Sequence, residues 1–308
     1  YLDRVNIGYA QLQMKETLTF DAAVYGMGAG IFFLGYVLFE VPSNLLLEKI
    51  GARKTLLRIM VLWGAVATGM MFVTTPMQFY ILRFLLGAFE AGFFPGVILY
   101  FTYWYPSARR GRVIATFMSA TTIIGVLAGP MSGAILKYFN GLNGWHGWQW
   151  LFLLQGAPAA VLGIIVFLVL KDKPADAQWL SPAEKELLRR DLDEGREAVV
   201  GHGKGVLGRL FRDPKVYALA LVYFLLLGAT YVMVFWMPTL IQSWGVKDVL
   251  MVGIYAAIPS AVGVAGMLLL GRSSDKFRER RWHFALCTMM AAASLWVTTL
   301  LTGNLSGS

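Results

Sequence analysis

Long apolar runs, separated by short polar segments, dominate the sequence. A helix needs about 20 mainly apolar residues to cross the hydrocarbon core of a bilayer. The runs are continuous and lack the strict alternation of a membrane β-barrel, so they predict helices. Eight spans are predicted, at residues 24–46, 55–74, 78–102, 112–137, 148–170, 216–241, 249–270 and 282–302.

Two features of the polar pattern divide the chain. The segment Tyr1–Ala10 is apolar and begins without Met, so it is interpreted as the end of a helix whose beginning is missing. The longest polar interval, residues 171–215, separates six helices, counting this remnant, from the three that follow. The predicted domains are therefore residues 1–170, the loop 171–215 and residues 216–308, and the chain is expected to be a fragment.

A short surface helix is predicted inside the 171–215 loop. Ser181 is an N-cap residue, Pro182 suits the first helical position, and Glu184 completes a capping box. The apolar side chains that follow are Leu187, Leu188 and Leu192. Because they form a stripe, this helix is expected to be amphipathic and to lie on the headgroups or on the helix bundle.

The composition and the distribution of charge fit a membrane protein. Hydrophobic residues make up 57% of the chain and charged residues 15%, against about 25% charged in a soluble domain. The net charge of +9 arises from basic loops: of 27 Lys and Arg residues, four lie in 48–58, three in 109–112, ten in 171–215 and five in 272–281. This asymmetry predicts that the loops 47–55, 103–112, 171–215 and 271–281 are cytoplasmic. It argues against a nucleic-acid partner.

The residues that usually hold metals and nucleotides are scarce. Cys287 is the single cysteine, and His146, His202 and His283 lie in separate segments, so no metal-binding cluster is indicated. No phosphate-binding loop of the Gly-x-x-x-x-Gly-Lys-Ser/Thr type occurs. We therefore expect neither a metal nor a nucleotide cofactor.

An internal repeat supports the division into halves. The loop after the second helix reads Glu48-Lys49-x-Gly51-x-Arg53, and six helices later the chain reads Gly271-x-x-x-Asp275-Lys276-x-x-x-Arg280. Two such copies are typical of duplicated six-helix halves. In each copy the acid is expected to cap a helix or pair with a base, while the cations hold the loop inside. Gating at the cytoplasmic end is the role we assign to these residues.

Two charges interrupt the apolar span at 78–102. Arg83 and Glu90 are seven residues apart, which is two helical turns, so they share one helix face. A charge within the bilayer costs roughly 3 kcal/mol even on the mildest scales, which makes this face a candidate functional site. The alternative is a purely structural pair that ties this helix to the first one.

Several motifs together resemble the major facilitator superfamily, and within it the anion:cation symporter branch. These motifs are Tyr1-Leu-Asp3-Arg4-Val-Asn6-Ile-Gly8, Gly35-Tyr36-Val-Leu-Phe-Glu40-Val-Pro42, and Arg83 with Glu90. Bacterial tartrate, phthalate and 4-hydroxyphenylacetate permeases are similar. The resemblance implies an all-α membrane fold of two six-helix halves with inverted repeats. Part of helix 1 and helices 10–12 would be missing from this chain.

The resemblance also implies roles for the charged residues. Arg4 and Arg83 would hold the carboxylate of an organic anion, because a guanidinium offers a planar, permanently charged fork. Asp3 and Glu90 would carry protons, each pairing with a neighbouring Arg when no anion is bound. Glu40 is expected to act in gating. A stripe of small residues in the fifth helix would support rocking of the halves; it comprises Gly125, Gly129, Pro130 and Gly133.

Polar and aromatic side chains complete the expected binding site. Tyr36, Thr121 and Tyr231 are candidates to contact the hydroxyl or carboxyl groups of the substrate. The predicted function is proton-coupled uptake of a small organic acid by a permease of the bacterial inner membrane, expected to be monomeric. Two alternatives stay open: an uncoupled facilitator or exchanger, and a membrane sensor that signals through the 171–215 loop. The spans show no nucleophile–base pair of the kind an intramembrane enzyme needs.

Overall fold

A computed structural model describes residues 1–18, 20–197, 212–279 and 281–305, and the regular structure in these ranges is helical. The α-helices are α1 (Leu2–Val5), α2 (Ile7–Thr17), α3 (Ala22–Ile50), α4 (Ala52–Gly69), α5 (Pro76–Glu90), α6 (Phe93–Trp104), α7 (Ser107–Tyr138), α8 (Gly147–Val169), α9 (Pro182–Glu197), α10 (Pro214–Ser243), α11 (Val249–Phe277) and α12 (Arg281–Leu305). Short 3-10 turns occupy Met70–Phe72, Leu142–Gly144 and Pro174–Asp176. The all-α prediction is confirmed.

Eight helical stretches of the described residues are long and apolar enough to cross a membrane, and they match the eight predicted spans. One of them differs in detail from the prediction. The span at 78–102 was expected to be a single helix, but α5 ends at Glu90 and α6 begins at Phe93. Gly92 adopts a left-handed φ of 85°, and a Cβ there would collide with the hydroxyl of Ser43. The chain therefore breaks the helix directly after the buried carboxylate of Glu90.

Local capping explains where the helices begin. Thr75 and Gln78 form a capping box ahead of α5, with Pro76 at the first helical position. The predicted start of α9 is confirmed, since Glu184 accepts hydrogen bonds from the backbone and hydroxyl of Ser181, both at 2.8 Å. The hydrogen bond from the backbone of Ser181 holds the pKa of Glu184 below its ordinary value.

Small residues let α3 and α5 approach closely. A Cβ added at Gly87 would collide with the backbone oxygen of Phe32, and one at Gly35 would collide with the backbone oxygen of Phe84. Close contact of this kind is how helices associate within a bilayer, where no hydrophobic driving force acts between them. It brings the aromatic face of α3 against the charged face of α5.

Contacts divide the chain into two compact units, Tyr1–Ala257 and Ile258–Ser308. In the first unit, α8 packs on α4, α3 on α5, and α2 on α10. In the second, the Ser273 hydroxyl lies 2.9 Å from Nε2 of His283, and the Ser274 hydroxyl donates to the backbone oxygen of Glu279 at 2.9 Å.

Asp172, in the loop that follows α8, caps the N-terminus of α4. The backbone N–H of Arg53 donates to Oδ1 of Asp172 at 2.8 Å, and the Arg53 guanidinium lies 4.2 Å from the ring centroid of Phe167. The repeat predicted that Glu48 caps a helix or pairs with a base, and the side chain of Glu48 lies outside the described part. The cap observed on α4 comes from Asp172.

Replacing Asp172 with alanine is expected to destabilise the protein by about 1 kcal/mol, because the N-terminus of α4 loses its side-chain cap. Thermal unfolding in detergent measures this as a lower Tm. Asp176→Ala, which removes an exposed carboxylate of the same loop, is the matched control and should leave Tm unchanged. An equal fall in both variants would contradict the capping role.

Candidate functional site

Helices α1 and α5 are joined by a buried ion pair between Arg4 and Glu90, the last residue of α5. Nε and Nη2 of Arg4 donate to Oε1 of Glu90 at 3.1 and 2.5 Å. The side chains are only 16% and 7% exposed. The break after α5 fixes the position of the carboxylate, because Glu90 stands at a helix end.

Aromatic residues of α3 and α10 surround the Arg4 guanidinium. Nη1 of Arg4 donates to the hydroxyl of Tyr231 at 2.6 Å. The guanidinium carbon lies 5.2 Å from the ring centroid of Phe32 and 5.1 Å from that of Tyr36, within the range of cation–π attraction. Arg4 therefore links α1, α3, α5 and α10 in one cluster, which also contains two of the three predicted polar contacts, Tyr36 and Tyr231.

Arg83 lies in the same cluster but is held differently. It is 1% exposed, its Nε donates to the backbone oxygen of Gly28 at 3.2 Å, and its guanidinium carbon lies 5.0 Å from the centroid of Phe32. Its Nη2 has no hydrogen-bond partner among the described residues. The ring of Phe32 thus stands within cation–π range of both predicted anion-binding arginines.

The expected pairing of each arginine with an acid is half right. Arg4 pairs with Glu90, whereas Arg83 is bound to a backbone oxygen, and no ion pair between Arg83 and Glu90 occurs among the described residues. Seven residues separate Arg83 from Glu90, about 10.5 Å along a helix, and Arg4 reaches the carboxylate from the neighbouring helix. The ion pair that ties α5 to α1 is therefore Arg4–Glu90.

Asp3, the second predicted proton carrier, is also buried. Its exposed fraction is 4%, its Oδ1 lies 3.3 Å from the amino nitrogen of Tyr1, and its Oδ2 has no hydrogen-bond partner among the described residues. The side chains of Asp3 and Arg4 leave the helix about 100° apart. The two predicted proton carriers lie on different helices, Asp3 on α1 and Glu90 on α5.

Other predicted residues stand apart from this cluster. The hydroxyl of Thr121 donates to the backbone oxygen of Met118 in its own helix at 2.6 Å, and no contact with either arginine is described for it. Glu40 is half-buried one turn beyond Tyr36 on α3. Among the gating residues, Gly51 has a φ of 87° at the turn before α4, while Lys49, Gly271 and Lys276 are exposed. The side chain of Asp275 and all of Arg280 lie outside the described part.

At the end opposite the basic loops, polar contacts close α2 onto α10. Nε2 of Gln11 donates to the Thr239 hydroxyl at 2.5 Å, and Nζ of Lys15 donates to Oε1 of Gln242 at 2.6 Å. These residues were not among those predicted from the sequence. A signal was available, because residues 4, 8, 11 and 15 form one helical face that continues from Arg4.

The same end carries an ion pair between α7 and the residue preceding α11. Nζ of Lys137 lies 2.5 Å from Oδ2 of Asp248, and both side chains are more than a third exposed. This hydrogen bond holds the pKa of Asp248 below its ordinary value. The pair therefore keeps its charges throughout the neutral range, and acid that protonates Asp248 weakens it. High salt screens it, as expected for exposed charges.

The predicted small-residue stripe of α7 packs on α11 at this end. A Cβ added at Gly129 would collide with the backbone oxygen of Gly253, and one at Gly133 would lie 2.7 Å from the backbone oxygen of Val249. Gly125, one turn earlier, has no such neighbour within 4 Å. The contact of the stripe with a helix after the central loop is confirmed at two of its glycines.

Gly129→Ala is expected to destabilise the protein by about 1–3 kcal/mol, because the added methyl group must push α7 away from α11. Thermal unfolding in detergent gives the comparison. Gly125→Ala is the matched control on the same helix. Its Tm should equal that of the unsubstituted protein or be slightly higher. Equal Tm values for the two variants would show that the close contact does not form in the protein.

Comparison with known proteins identifies the family of this chain. The sequence profile of the Major Facilitator Superfamily matches residues 1–307. A Pseudomonas putida protein named "Putative metabolite transport protein NicT" is 48% identical over 309 residues, covering 99% of this chain and 70% of that protein. A "Putative tartrate transporter" of Agrobacterium vitis is 46% identical over 299 residues, covering 97% of this chain and 68% of that protein. The chain spans about two thirds of the length of these relatives.

Solved structures agree on the fold. The inward-facing, unoccupied crystal structure of a bacterial homologue of the human lysosomal transporter Spinster aligns with a TM-score of 0.72 at 21% identity, covering 90% of this chain and 60% of that one. A partially occluded, inward-open structure of the Escherichia coli xylose transporter XylE aligns with a TM-score of 0.68 at 15% identity, covering 90% and 71%. The eight apolar helices of the described residues, the profile match and the relatives show that the chain is a multi-pass membrane protein that belongs to the major facilitator superfamily.

Proposed function

We propose that the protein takes up a small organic carboxylate together with a proton, by alternating access. The observation that carries the proposal is the buried Arg4–Glu90 pair, which is hydrogen-bonded to Tyr231 of α10. A guanidinium fixed among aromatic rings suits a carboxylate, and an acid on the same guanidinium can exchange with that carboxylate. Anion binding and protonation of Glu90 are thereby linked through Arg4.

The proton step follows from the balance of charge. With Glu90 ionised, Arg4 is neutralised by an internal partner and has little electrostatic attraction left for an anion. Protonation of Glu90 removes that negative charge, and the carboxylate of the substrate then takes its place on the Arg4 fork. One proton and one carboxylate enter together, so the charge balance of the buried site is the same before and after loading.

Arg83 is the second proposed anion contact. Its unpartnered Nη2 and its position beside Phe32 leave a donor available in the same aromatic cluster. A substrate with two carboxylates, or with a carboxylate and a hydroxyl, can use both guanidinium groups. Asp3 is proposed as a second proton carrier on the strength of its burial.

The conformational step is proposed to begin at Tyr231. This residue belongs to α10, whereas Arg4 and Glu90 belong to helices before the central loop, so the hydrogen bond from Arg4 connects the site to the following helices. Positive-inside orientation places the basic loops in the cytoplasm and the contacts at Gln11, Lys15 and Lys137 on the periplasmic side. In an alternating-access cycle these contacts would hold the periplasmic end closed, and their release would open the site outward. A monomer in the bacterial inner membrane is the proposed setting.

The substrate class is an organic acid of the size of tartrate or a simple aromatic acid. One relative is named as a tartrate transporter and another as a metabolite transport protein. The rings of Phe32, Tyr36 and Tyr231 offer flat faces for an aromatic acid, and the hydroxyl groups of Tyr36 and Tyr231 offer hydrogen bonds for a hydroxy acid.

Uptake into proteoliposomes tests the proposal. The protein that contains this chain is reconstituted and supplied with labelled tartrate, phthalate or 4-hydroxyphenylacetate, with and without an inward proton gradient. We expect one of these acids to accumulate only with the gradient. Equal uptake in both conditions would indicate a facilitator, and binding without uptake would indicate a sensor.

A further inference from the structure

A polar seam runs between helix 1 (α1 and α2) and helices α7 and α8, on a face of helix 1 different from that of Arg4. At its outer end the seam is fully hydrogen-bonded. Nε2 of Gln13 donates to the backbone oxygen of Leu136 at 3.0 Å, and the backbone N–H of Trp148 donates to Oε1 of Gln13 at 3.1 Å. Gln13 therefore fixes the register between the three helices.

Two turns deeper, this register brings two further side-chain amides, those of Asn6 and Gln155, to the same depth in the bundle. Asn6 precedes Gln13 by seven residues, and Gln155 follows Trp148 by seven. The backbone stays helical through Asn6 (φ −61°, ψ −22°), and each interval is about 10.5 Å toward the basic loops. Because positions seven apart share a helix face, Asn6 and Gln155 face the same seam. Nε2 of Gln155 donates to the Ser132 hydroxyl of α7 at 3.1 Å.

Several polar atoms at this level lack a protein partner. Asn6 is 1% exposed, Ser132 0% and Gln155 7%. Nδ2 and Oδ1 of Asn6 and Oε1 of Gln155 have no hydrogen-bond partner among the described residues, and the same holds for Oδ2 of Asp3, three residues before Asn6. Buried amides are strongly disfavoured unless they are hydrogen-bonded, and in native proteins ordered water commonly satisfies such groups.

We propose that Asn6, Gln155 and Ser132 hold an ordered water molecule between helix 1, α7 and α8, next to Asp3. The two donors of a water molecule match the two amide oxygens of Asn6 and Gln155, and its acceptor sites suit an N–H of the Asn6 amide. A metal cation fits less well, since it cannot accept the hydrogen bond of the Asn6 N–H group. The ligand class is therefore a neutral hydrogen-bonding molecule of the size of water.

The water would give Asp3 a hydrogen-bonding neighbour that is independent of the Arg4–Glu90 pair. This part of the proposal rests on the proposed role of Asp3 in carrying a proton. Asn6 and Gln155 would then be positioning residues, because they act through the water and Asp3 and do not touch the substrate.

A double-mutant cycle tests whether one ligand bridges the two amides. Asn6→Leu and Gln155→Met preserve side-chain shape and remove the polar atoms. Each is expected to lower Tm in detergent by about 3 °C, and the double variant should fall no further than either single one, because the first change already removes the shared water. Gln149→Met combined with Asn6→Leu is the control, since Gln149 lies on the same helix and donates to the backbone oxygen of Met71. Additive losses are expected there.

Two results would overturn the water site. Additive losses for Asn6→Leu and Gln155→Met would show that no ligand connects them, and a rise in Tm for either single variant would show that its amide is unsatisfied in the protein. Replacing choline chloride with sodium chloride should leave Tm unchanged. A sodium-dependent rise that Gln155→Met abolishes would replace the water with a cation.

The link to proton coupling has its own readout. Gln155→Met is expected to lose at least half of the gradient-driven accumulation while exchange of labelled for unlabelled acid continues. Unchanged accumulation would overturn the role beside Asp3. If the unsubstituted protein shows no gradient-driven uptake, the proposed function fails, while the thermal cycle still decides on the water site.

Discussion

Replacing Arg4 with glutamine is expected to raise the KM for the transported acid at least about 30-fold. Truncating one partner of a buried charged hydrogen-bond pair costs 2–5 kcal/mol, and each 1.4 kcal/mol is about a factor of ten in affinity. Arg4 provides the fork that the carboxylate needs, and its loss also leaves Glu90 without its partner. Uptake kinetics in proteoliposomes measure the effect.

Two further variants separate charge from geometry. Arg4→Lys keeps the positive charge but loses the planar fork, so its KM should lie between those of the unsubstituted protein and Arg4→Gln. Arg109→Gln, at an exposed position of α7, should leave the KM unchanged. If Arg4→Gln and Arg109→Gln had the same small effect, Arg4 would not bind the substrate.

Replacing Glu90 with glutamine is expected to abolish accumulation against a gradient and to leave exchange active. The amide mimics a permanently protonated acid, so Arg4 stays free for the carboxylate at every pH. Accumulation should fall at least about 10-fold, because proton entry no longer has to accompany the anion. Parallel assays of gradient-driven uptake and of exchange, on the same preparation, measure the two activities.

A matched variant addresses the alternative that any change at Glu90 damages the protein. Glu40→Gln alters a different acid, half-buried on α3 near the cytoplasmic end, for which gating is the expected role. It should change the rates of uptake and exchange together and keep their ratio. Loss of both activities in Glu90→Gln, with a Tm well below that of Glu40→Gln, would contradict a coupling role for Glu90.

Patterns that depend on neighbours along the chain were predictable. The eight spans follow from the length of apolar runs, and the start of α9 follows from Ser181 and Glu184, which are three residues apart. Arg83 and Glu90 stood out because charges are rare in such runs. Their burial at 1% and 5% agrees with the expectation that neither faces lipid.

Features that depend on neighbours across the fold were not predictable in the same way. The break after Glu90 depends on the space between Gly92 and Ser43, and the cap on α4 depends on Asp172, more than a hundred residues away. The partner of Glu90 could not be read from spacing, because Arg4 and Arg83 were both plausible and only packing of α1 against α5 decides between them. Asn6 looked like part of a family motif, and its depth relative to Gln155 became visible only through the register set by Gln13.

The most direct test of the account is simultaneous measurement of proton and acid movement. Proteoliposomes in weakly buffered medium start at the same pH inside and outside. The accepted acid is then added to the medium, so that the acid alone has an inward gradient. The account predicts that the medium becomes alkaline as the acid enters, with a fixed ratio of protons to acid, and that Glu90→Gln removes the pH change. Entry of the acid through the unsubstituted protein with no pH change would contradict it.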